Sequence, residues 1–293
     1  MVKYIYILLL LLPLSVCCQQ TDTLLGNKIP VNTIVYQKPK PFSFITNIPK
    51  DVAGFAKKSF QKNNYNNLKL VAGSTLFLWL SDQAITNTLH DKLEDSKIVS
   101  TESFSPFINV KIGGKPTNIG KIPRNINTAF YNLGQGSFSM LLAGGFYVMG
   151  KIKKDNRALN TASQLAESFI VLGVGTQAMK YFTGRENPSD ESVIRGRWQP
   201  FPMWQDFQNH KTKYDAFPSG HLATFVNTVT IIGSNYPEKR WIKPVGYSIA
   251  GLIALSMINN GVHWASDFPL GITLGHGYGK YITHKARLHM VSM

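Results

Sequence analysis

Three short clusters in the second half of the 293-residue chain combine residue types that suit phosphate chemistry. Lysine and arginine supply positive charge, histidine supplies a nucleophile or an acid, and serine and glycine offer hydrogen-bond donors. The clusters are KYFTGRENP at residues 180–188, FPSGH at residues 217–221 and NNGVHWASD at residues 259–267.

The second cluster predicts an anion site at the start of a helix. Pro218-Ser219-Gly220 opens a predicted helix over residues 219–233, and the first backbone N–H groups of a helix are free to bind an anion. Ser219 adds a hydroxyl group. His221 falls in the first turn, so a phosphate bound there would lie within its reach.

The third cluster pairs a histidine with a carboxylate. His263 and Asp267 are four residues apart and share one face if this segment is helical. A carboxylate on one imidazole nitrogen orients the ring and leaves the other nitrogen free to attack or to take a proton. With Lys180 and Arg185 as cations, the three clusters predict phosphoryl transfer through a phosphohistidine.

Each cluster taken alone also has a purely structural explanation. A His/Asp pair at this spacing is more often a surface or core pair than a catalytic one. Lys180 at the C-terminus of a helix would stabilise the helix dipole. The joint order and spacing of the clusters is what favours the catalytic interpretation.

That order resembles the type 2 phosphatidic acid phosphatase family, which includes lipid phosphate phosphatases, bacterial acid phosphatases and vanadium haloperoxidases. The family pattern is Lys, six residues, Arg-Pro; then Pro-Ser-Gly-His; then Ser-Arg, five residues, His, three residues, Asp. The matching positions are Lys180, Pro188, Pro218, Ser219, Gly220, His221, Ser256, His263 and Asp267.

Two positions depart from the family pattern. Asn187 and Met257 occupy the places of the two arginines that hold phosphate oxygens in the family. Methionine has no hydrogen to donate, and asparagine offers only a neutral donor. Arg185, or else Arg195 or Arg197 in the following loop, is a candidate to replace the missing charge.

The resemblance implies a role for each matching residue. His263 would attack phosphorus, Asp267 would orient His263, and His221 would protonate the leaving oxygen. The implied phosphate-binding groups are Lys180, Ser219 and the Gly220 N–H, with Arg185 as the substitute cation. The resemblance implies no metal and no cofactor, and nothing in the sequence singles out the vanadate that some family members need.

The first 18 residues predict a secretory signal segment. A short apolar run over residues 5–12 follows Lys3 and is too short to span a bilayer comfortably. A lipoprotein cleavage site before Cys17 and an uncleaved first membrane helix are the alternatives. Both cysteines, Cys17 and Cys18, fall in this segment, so cleavage after Cys18 would leave no disulfide.

Residues 19–65 form a polar, basic lead-in. Seven lysines lie between residues 38 and 69, against the single acid Asp51. Such a segment is either an arm on an anionic membrane face or a solvated stretch before the folded domain.

Residues 66–293 predict a helical, phosphatase-like domain. The chain contains no sustained strand alternation, and residues 89–124 are expected to form a polar connection. Frequent glycines would let helices approach closely. The expected fold is an all-α bundle of about six helices embedded in a membrane, with helices over residues 68–85, 125–150, 162–182, 219–233, 245–258 and 264–281.

The composition and the motifs together define the expected function. The formal net charge of +15 favours an anionic partner, and the sequence has no zinc spacing or RNA-binding motif to suggest nucleic acid. We expect a bacterial cell-envelope phosphatase that removes phosphate from a lipid phosphate or pyrophosphate, with its active site facing the periplasm. The alternatives are a soluble, periplasmic acid phosphatase for small phosphate esters and a non-catalytic relative that binds anionic lipid. Asn187 and Met257 favour the last alternative.

Overall fold

The chain folds into a bundle of α-helices. The computed structural model describes residues 36–98, 100, 103–112 and 115–291. The predicted signal segment, residues 1–18, lies outside these ranges. Ten α-helices and one short hairpin occur among the described residues, which confirms the predicted all-α class.

The elements follow one another in chain order. The first half contains α1 (Ser43–Thr46), α2 (Ile48–Ser59), α3 (Tyr65–Asp95), β1 (Phe104–Ile112), β2 (Lys115–Pro123), α4 (Ile126–Gly134) and α5 (Gly136–Ile152). The second half contains α6 (Asn156–Thr183), α7 (Trp204–Asn209), α8 (Gly220–Asn235), α9 (Ile242–Asn259) and α10 (Phe268–Val291). A 3₁₀ turn, Ala265–Asp267, leads directly into α10.

Local signals fix both ends of α6, the helix that carries Lys180. The Asp155 side chain caps its start by accepting hydrogen bonds from the N–H groups of Arg157 and Ala158. The helix ends at Gly184, whose φ of 54° is left-handed and is adopted by glycine without steric cost. The N–H of Gly184 returns to the carbonyl of Lys180 at 2.8 Å.

The predicted polar connection over residues 89–124 is wrong in part. Helix α3 continues to Asp95, and β1 pairs with β2 in an antiparallel hairpin. Residues 108–112 alternate apolar and polar side chains just before a Gly-Gly pair in the sequence. That pattern is a hairpin signal, and sequence reasoning missed it.

Other parts of the predicted helix pattern also differ, and the helix that carries Lys180 starts at Asn156 instead of residue 162. The predicted helix over residues 125–150 is divided at Gln135, whose backbone is extended between α4 and α5. The last helix starts at Phe268 and not at residue 264, so Asp267 lies in the 3₁₀ turn that precedes it. Helix α2 lies inside the predicted lead-in, and its Asp51 pairs with Lys285 of α10.

Close packing of α8 against α10 brings two of the sequence clusters together. A Cβ atom built on Gly271 would lie 2.5 Å from the carbonyl oxygen of Ser219, and one built on Gly275 would lie 2.2 Å from that of Ala223. Only glycine permits such an approach of helix to backbone. The glycines of α10 therefore set the distance between the start of α8 and the turn that precedes α10.

One described helix, Ile242–Asn259, is long and apolar enough to cross a membrane. Half of its apolar window is buried inside the bundle, as in the core helix of many soluble proteins. The predicted membrane embedding therefore remains a proposal.

Candidate active site

The start of α8 supplies the predicted anion site. Ser219 is the N-cap, and its hydroxyl oxygen accepts a hydrogen bond from the N–H of Leu222 at 3.4 Å. The Ser219 N–H donates to the carbonyl of Asp267 at 3.0 Å, which ties this helix start to the Ala265–Asp267 turn. Gly220 contacts Thr176 of α6, one turn before Lys180, so α6 packs directly against the same helix start.

The structure brings His263 and His221 together. Their ring centroids lie 5.9 Å apart in an edge-to-face arrangement, although the two residues come from different clusters. Lys180 lies one turn after Thr176, the residue of α6 that faces Gly220 at the start of α8, and its charge contributes to the lowered pKa of His221. Its Nζ atom lies 3.6 Å from Asp215 Oδ2, which partly neutralises it.

His221 is neutral in the free site. Its ring packs on Tyr131 of α4, with centroids 4.9 Å apart. Burial lowers the pKa of His221 to about 3, and repulsion by His263 and Lys180 acts in the same direction. For His221 to donate a proton at neutral pH, a negative charge has to be bound nearby.

Asp267 stands behind His263 as an ionised carboxylate. Its Oδ2 lies 3.4 Å from His263 Nδ1 and accepts a 2.7 Å hydrogen bond from the Trp264 N–H. Burial opposes ionisation, but the charge of Arg185 and the contacts with His263 and Trp264 outweigh it and lower the pKa of Asp267. The His263 contact is long for a hydrogen bond, as is frequent in sites without substrate.

Arg185 lies in a buried charge cluster with two acids. Its guanidinium donates to Asp267 Oδ1 at 2.5 Å, to Asp82 Oδ2 at 2.7 Å and to the Ser266 hydroxyl at 2.7 Å. The side chains of Arg185, Asp82 and Asp267 have no exposed surface. We call Asp82, Arg185, Ser266 and Asp267 the site cluster.

These contacts do not support direct phosphate binding by Arg185, which the sequence led us to expect. Of the other candidate cations, the Arg195 guanidinium lies over the Trp79 ring at 5.0 Å, and Arg197 is exposed. Among the predicted phosphate-binding side chains, Lys180 is the cation that shares a site with His221 and His263.

The two departures from the family pattern are both buried. Met257 has no exposed surface, and the Ser219 hydroxyl points to its sulfur at 3.6 Å. Asn187 is buried as well, and its side-chain oxygen has no hydrogen-bond partner among the described residues. Neither residue restores the positive charge of an arginine.

Sequence reasoning missed residues that contact the site from outside the three clusters, among them Asp215 beside Lys180. Tyr131 packs on His221, and Asp82 binds Arg185. The sequence did contain a signal for Asp82, because this acid directly follows the apolar residues 77–80 of α3. A charge buried among apolar residues requires a partner. The sequence contained no such signal for Tyr131, since aromatic residues on helices commonly belong to the hydrophobic core.

Comparisons with known proteins agree with this geometry. A family model described as the PAP2 superfamily matches residues 161–288. These residues are a PAP2 superfamily domain. The predicted family is thereby confirmed, and the PAP2 domain contains all three clusters, whereas Asp82 and Tyr131 precede it.

One curated relative bears on the chemistry. A stretch of 65 residues is 35% identical to the lipid A 1-phosphatase of Porphyromonas gingivalis. The match covers 22% of this chain and 15% of that relative, so the chain spans only a small part of its length. No solved structure matches the chain significantly.

No metal ligand set accompanies the PAP2 domain in the part of the chain that the structure describes. Over those residues, no group of three His, Cys, Asp or Glu side chains is placed to hold a metal ion.

Proposed function

We propose that the chain is a bacterial cell-envelope phosphatase that releases phosphate from a lipid phosphate or pyrophosphate through a phosphohistidine on His263. The PAP2 domain supports a phosphatase. The observation that carries the assignment is the pairing of the His263 and His221 rings, 5.9 Å apart, beside the start of α8.

The proposed reaction has two steps on the same groups. Phosphate binds at the N-terminus of α8 beside Lys180, where free N–H groups and the ammonium stabilise its oxygens. His263 Nε2 attacks phosphorus, the bond to the leaving oxygen breaks, and protonated His221 gives that oxygen its proton. Water then attacks the phosphohistidine, releases phosphate and returns a proton to His221.

A lipid substrate is favoured by an apolar groove next to Ser219. The groove has a volume of about 670 Å³, and Phe217, two residues before Ser219, lies in its wall. It is lined by Leu68, Val71, Ala72, Thr75, Leu76, Trp79, Trp198, Phe217 and Leu270. An acyl chain in this groove would bury apolar surface of both partners.

Membrane association is favoured by apolar side chains that the bundle leaves exposed. Helices α3 and α5 expose Leu70, Leu76, Phe77, Leu80, Met140, Leu141, Tyr147, Val148 and Ile152. Soluble monomers rarely expose so many large apolar side chains. The name of the relative, lipid A 1-phosphatase, agrees with a lipid substrate at the bacterial envelope.

The substrate class is tested with phosphate release from lipid A, phosphatidic acid and undecaprenyl pyrophosphate, against p-nitrophenyl phosphate as a soluble ester. We expect Ala72→Phe, which fills the groove, to lower turnover of the lipids and to spare the soluble ester. Gly73→Phe is the matched control, because nothing lies within 4 Å of a Cβ atom there. Equal loss on both substrate types would contradict the groove, and turnover of the soluble ester alone would favour a periplasmic acid phosphatase.

A non-catalytic, anionic-lipid-binding protein is the second candidate function. It is favoured by the replacement of both family arginines with Asn187 and the buried Met257. Wild-type protein that binds anionic vesicles but releases no phosphate from any of these substrates would decide for it.

A further inference from the structure

The site cluster reaches beyond the PAP2 domain to Asp82 of α3. Asp82 Oδ1 accepts a 3.0 Å hydrogen bond from the Ser266 N–H, and Oδ2 accepts a 2.5 Å bond from the Ser266 hydroxyl. The two residues are 184 positions apart in sequence. Helix α3 thus holds both the backbone and the side chain of the turn that carries Asp267.

Every contact that the structure gives Asp82 comes from a donor. Two come from Ser266 and one from the Arg185 guanidinium, which is the pattern of an ionised carboxylate. Burial raises the pKa of Asp82, while the charge of Arg185 opposes the rise. A buried carboxylate is tolerated only with such compensation.

Arg185 connects Asp82 to the carboxylate that faces His263. One guanidinium nitrogen, Nη2, binds Asp82 and the other, Nη1, binds Asp267. The rings of Trp198 and Trp264 lie 4.8 and 5.4 Å from the guanidinium carbon and enclose it. A planar guanidinium between two carboxylates is a rigid link.

The same turn also fixes the anion site. The carbonyl of Asp267 accepts the Ser219 N–H, so a displacement of the turn moves the start of α8 as well as His263. One cluster thereby determines the distance between the nucleophile and the phosphate oxygens.

We propose that Asp82 and Arg185 are positioning residues of the phosphatase, which act through Asp267 and Ser266 to hold His263 in line with phosphate bound at Ser219. The proposal rests on the proposed function. In this proposal α3, which lies outside the PAP2 domain, supports the active site. Arg185 binds Asp267, the partner of the nucleophile, and does not bind the phosphate.

The test compares Asp82→Asn with Asp91→Asn, an exposed acid on the same helix. We expect Asp82→Asn to lower kcat about 10- to 100-fold, the range for groups that orient a functional histidine, with KM changed less than about twofold. Asp91→Asn should match the wild type. An unchanged kcat in a folded Asp82→Asn protein would overturn the proposal.

A charge-removing pair separates positioning from simple stability. Arg185→Gln leaves two buried carboxylates without a cation and should lower the melting temperature strongly. Adding Asp82→Asn removes one of those charges and should restore part of the melting temperature. The kcat should stay low in the double variant, because Asp267 has still lost its cation. Recovery of kcat in parallel with stability would mean that the cluster is only structural.

Failure of the proposed function can be told apart from failure of this proposal. If the wild type releases no phosphate from any substrate, the proposed phosphatase function is wrong. The positioning role of Asp82 and Arg185 is then tested by ¹⁵N NMR of the His263 ring. Positioning predicts a single Nδ1–H tautomer in the wild type and in Asp91→Asn, and mixed tautomers in Asp82→Asn. The same tautomer in all three proteins would overturn the positioning role.

Discussion

This bundle contains two buried clusters of acidic side chains with a nearby cation, and the pKa of a key acid is shifted in opposite directions in the two clusters. The site cluster places Asp82 and Asp267 on either side of the fully buried Arg185. The second cluster, which we call the remote cluster, consists of Asp51, Glu167, Tyr278 and Lys285 on α2, α6 and α10. There the Tyr278 hydroxyl donates a hydrogen bond to Glu167 at 3.0 Å, and Asp51 lies close enough to influence the same carboxyl group.

The difference lies in the cation. Lys285 pairs with Asp51 but is one-third exposed, so it compensates the remote acids poorly. Burial and the neighbouring Asp51 raise the pKa of Glu167 to about 8. In the site cluster the buried guanidinium lowers the pKa of Asp267 instead. The enclosed arginine thus favours the ionised form of Asp267, whereas Glu167, without such a cation, is protonated at neutral pH.

Replacing one acid in each cluster with its amide gives the sharpest contrast. Asp267→Asn should reduce phosphate release about 10³- to 10⁴-fold, as for other carboxylates that orient a catalytic histidine. Glu167→Gln should leave kcat unchanged, because it replaces a protonated carboxyl with a neutral amide. Both are measured as kcat on one lipid phosphate, with circular dichroism to check the fold. Similar losses in the two variants would remove the distinction between the clusters.

The pH dependence of stability tests the protonated state of Glu167. Its pKa in the folded chain, about 8, lies above its ordinary value of 4.5, so folding binds a proton between these pH values. Stability contributed by this group is consequently lost as the pH rises through that window, by about 1.4 kcal/mol per pH unit.

The Glu167→Gln variant isolates this contribution, because it cannot titrate there. When the pH is raised from 5.5 to 7.5, the free energy of unfolding should fall by about 2–3 kcal/mol more in the wild type than in the variant. Parallel pH profiles would show that Glu167 is already ionised.

His221 should take up a proton only when an anion binds. Glu167, in contrast, is protonated without a bound ligand. Tungstate is a suitable probe, because this tetrahedral dianion has no proton to exchange near neutral pH. Calorimetric titrations at pH 7 in buffers of different ionisation enthalpy should show proton uptake in the wild type and none in His221→Asn. Equal uptake in both proteins would exclude His221 as the acceptor.

The smallest contrast concerns glycines near and far from the site. Gly271→Ala sets a methyl group against the Ser219 carbonyl and should cost about 1–3 kcal/mol of stability as well as lower kcat. Gly144→Ala on α5 meets open space and should stabilise by about 0.5–1 kcal/mol with kcat unchanged. Thermal unfolding and kcat of both variants check this. Full activity of Gly271→Ala would show that the α8–α10 distance is not critical.

Much of the fold followed from local signals in the sequence. Gly184 marks the end of the helix that carries Lys180, and the helix after Ser219 has its own cap. The capping Asp155 was overlooked, so the predicted start at residue 162 was six residues late. The hairpin before α4 was missed, because its alternating segment is short and lies among lysines and prolines. The position of Asp267 in a 3₁₀ turn was missed, because a His/Asp spacing of four fits a helix and a capped 3₁₀ turn equally well.

Only the site residues that lie in the three sequence clusters could be predicted. The order of the clusters indicated that His221 and His263 act together, and the rings lie side by side. The direction of Arg185 was not predictable, because its partner Asp82 lies 103 residues earlier in the chain. Tertiary packing of α3, which no local pattern encodes, decides whether that arginine faces a phosphate or a carboxylate.

The most direct measurement is a search for the phosphohistidine itself. The wild type is incubated with ³²P-labelled lipid phosphate, quenched in alkali and digested, and the labelled peptide is identified. We expect an acid-labile, base-stable label on His263, absent from His263→Ala but present in His276→Ala, which lacks another buried histidine. Phosphate release by the wild type with no labelled histidine, or with the label on His221, would contradict His263 as the nucleophile.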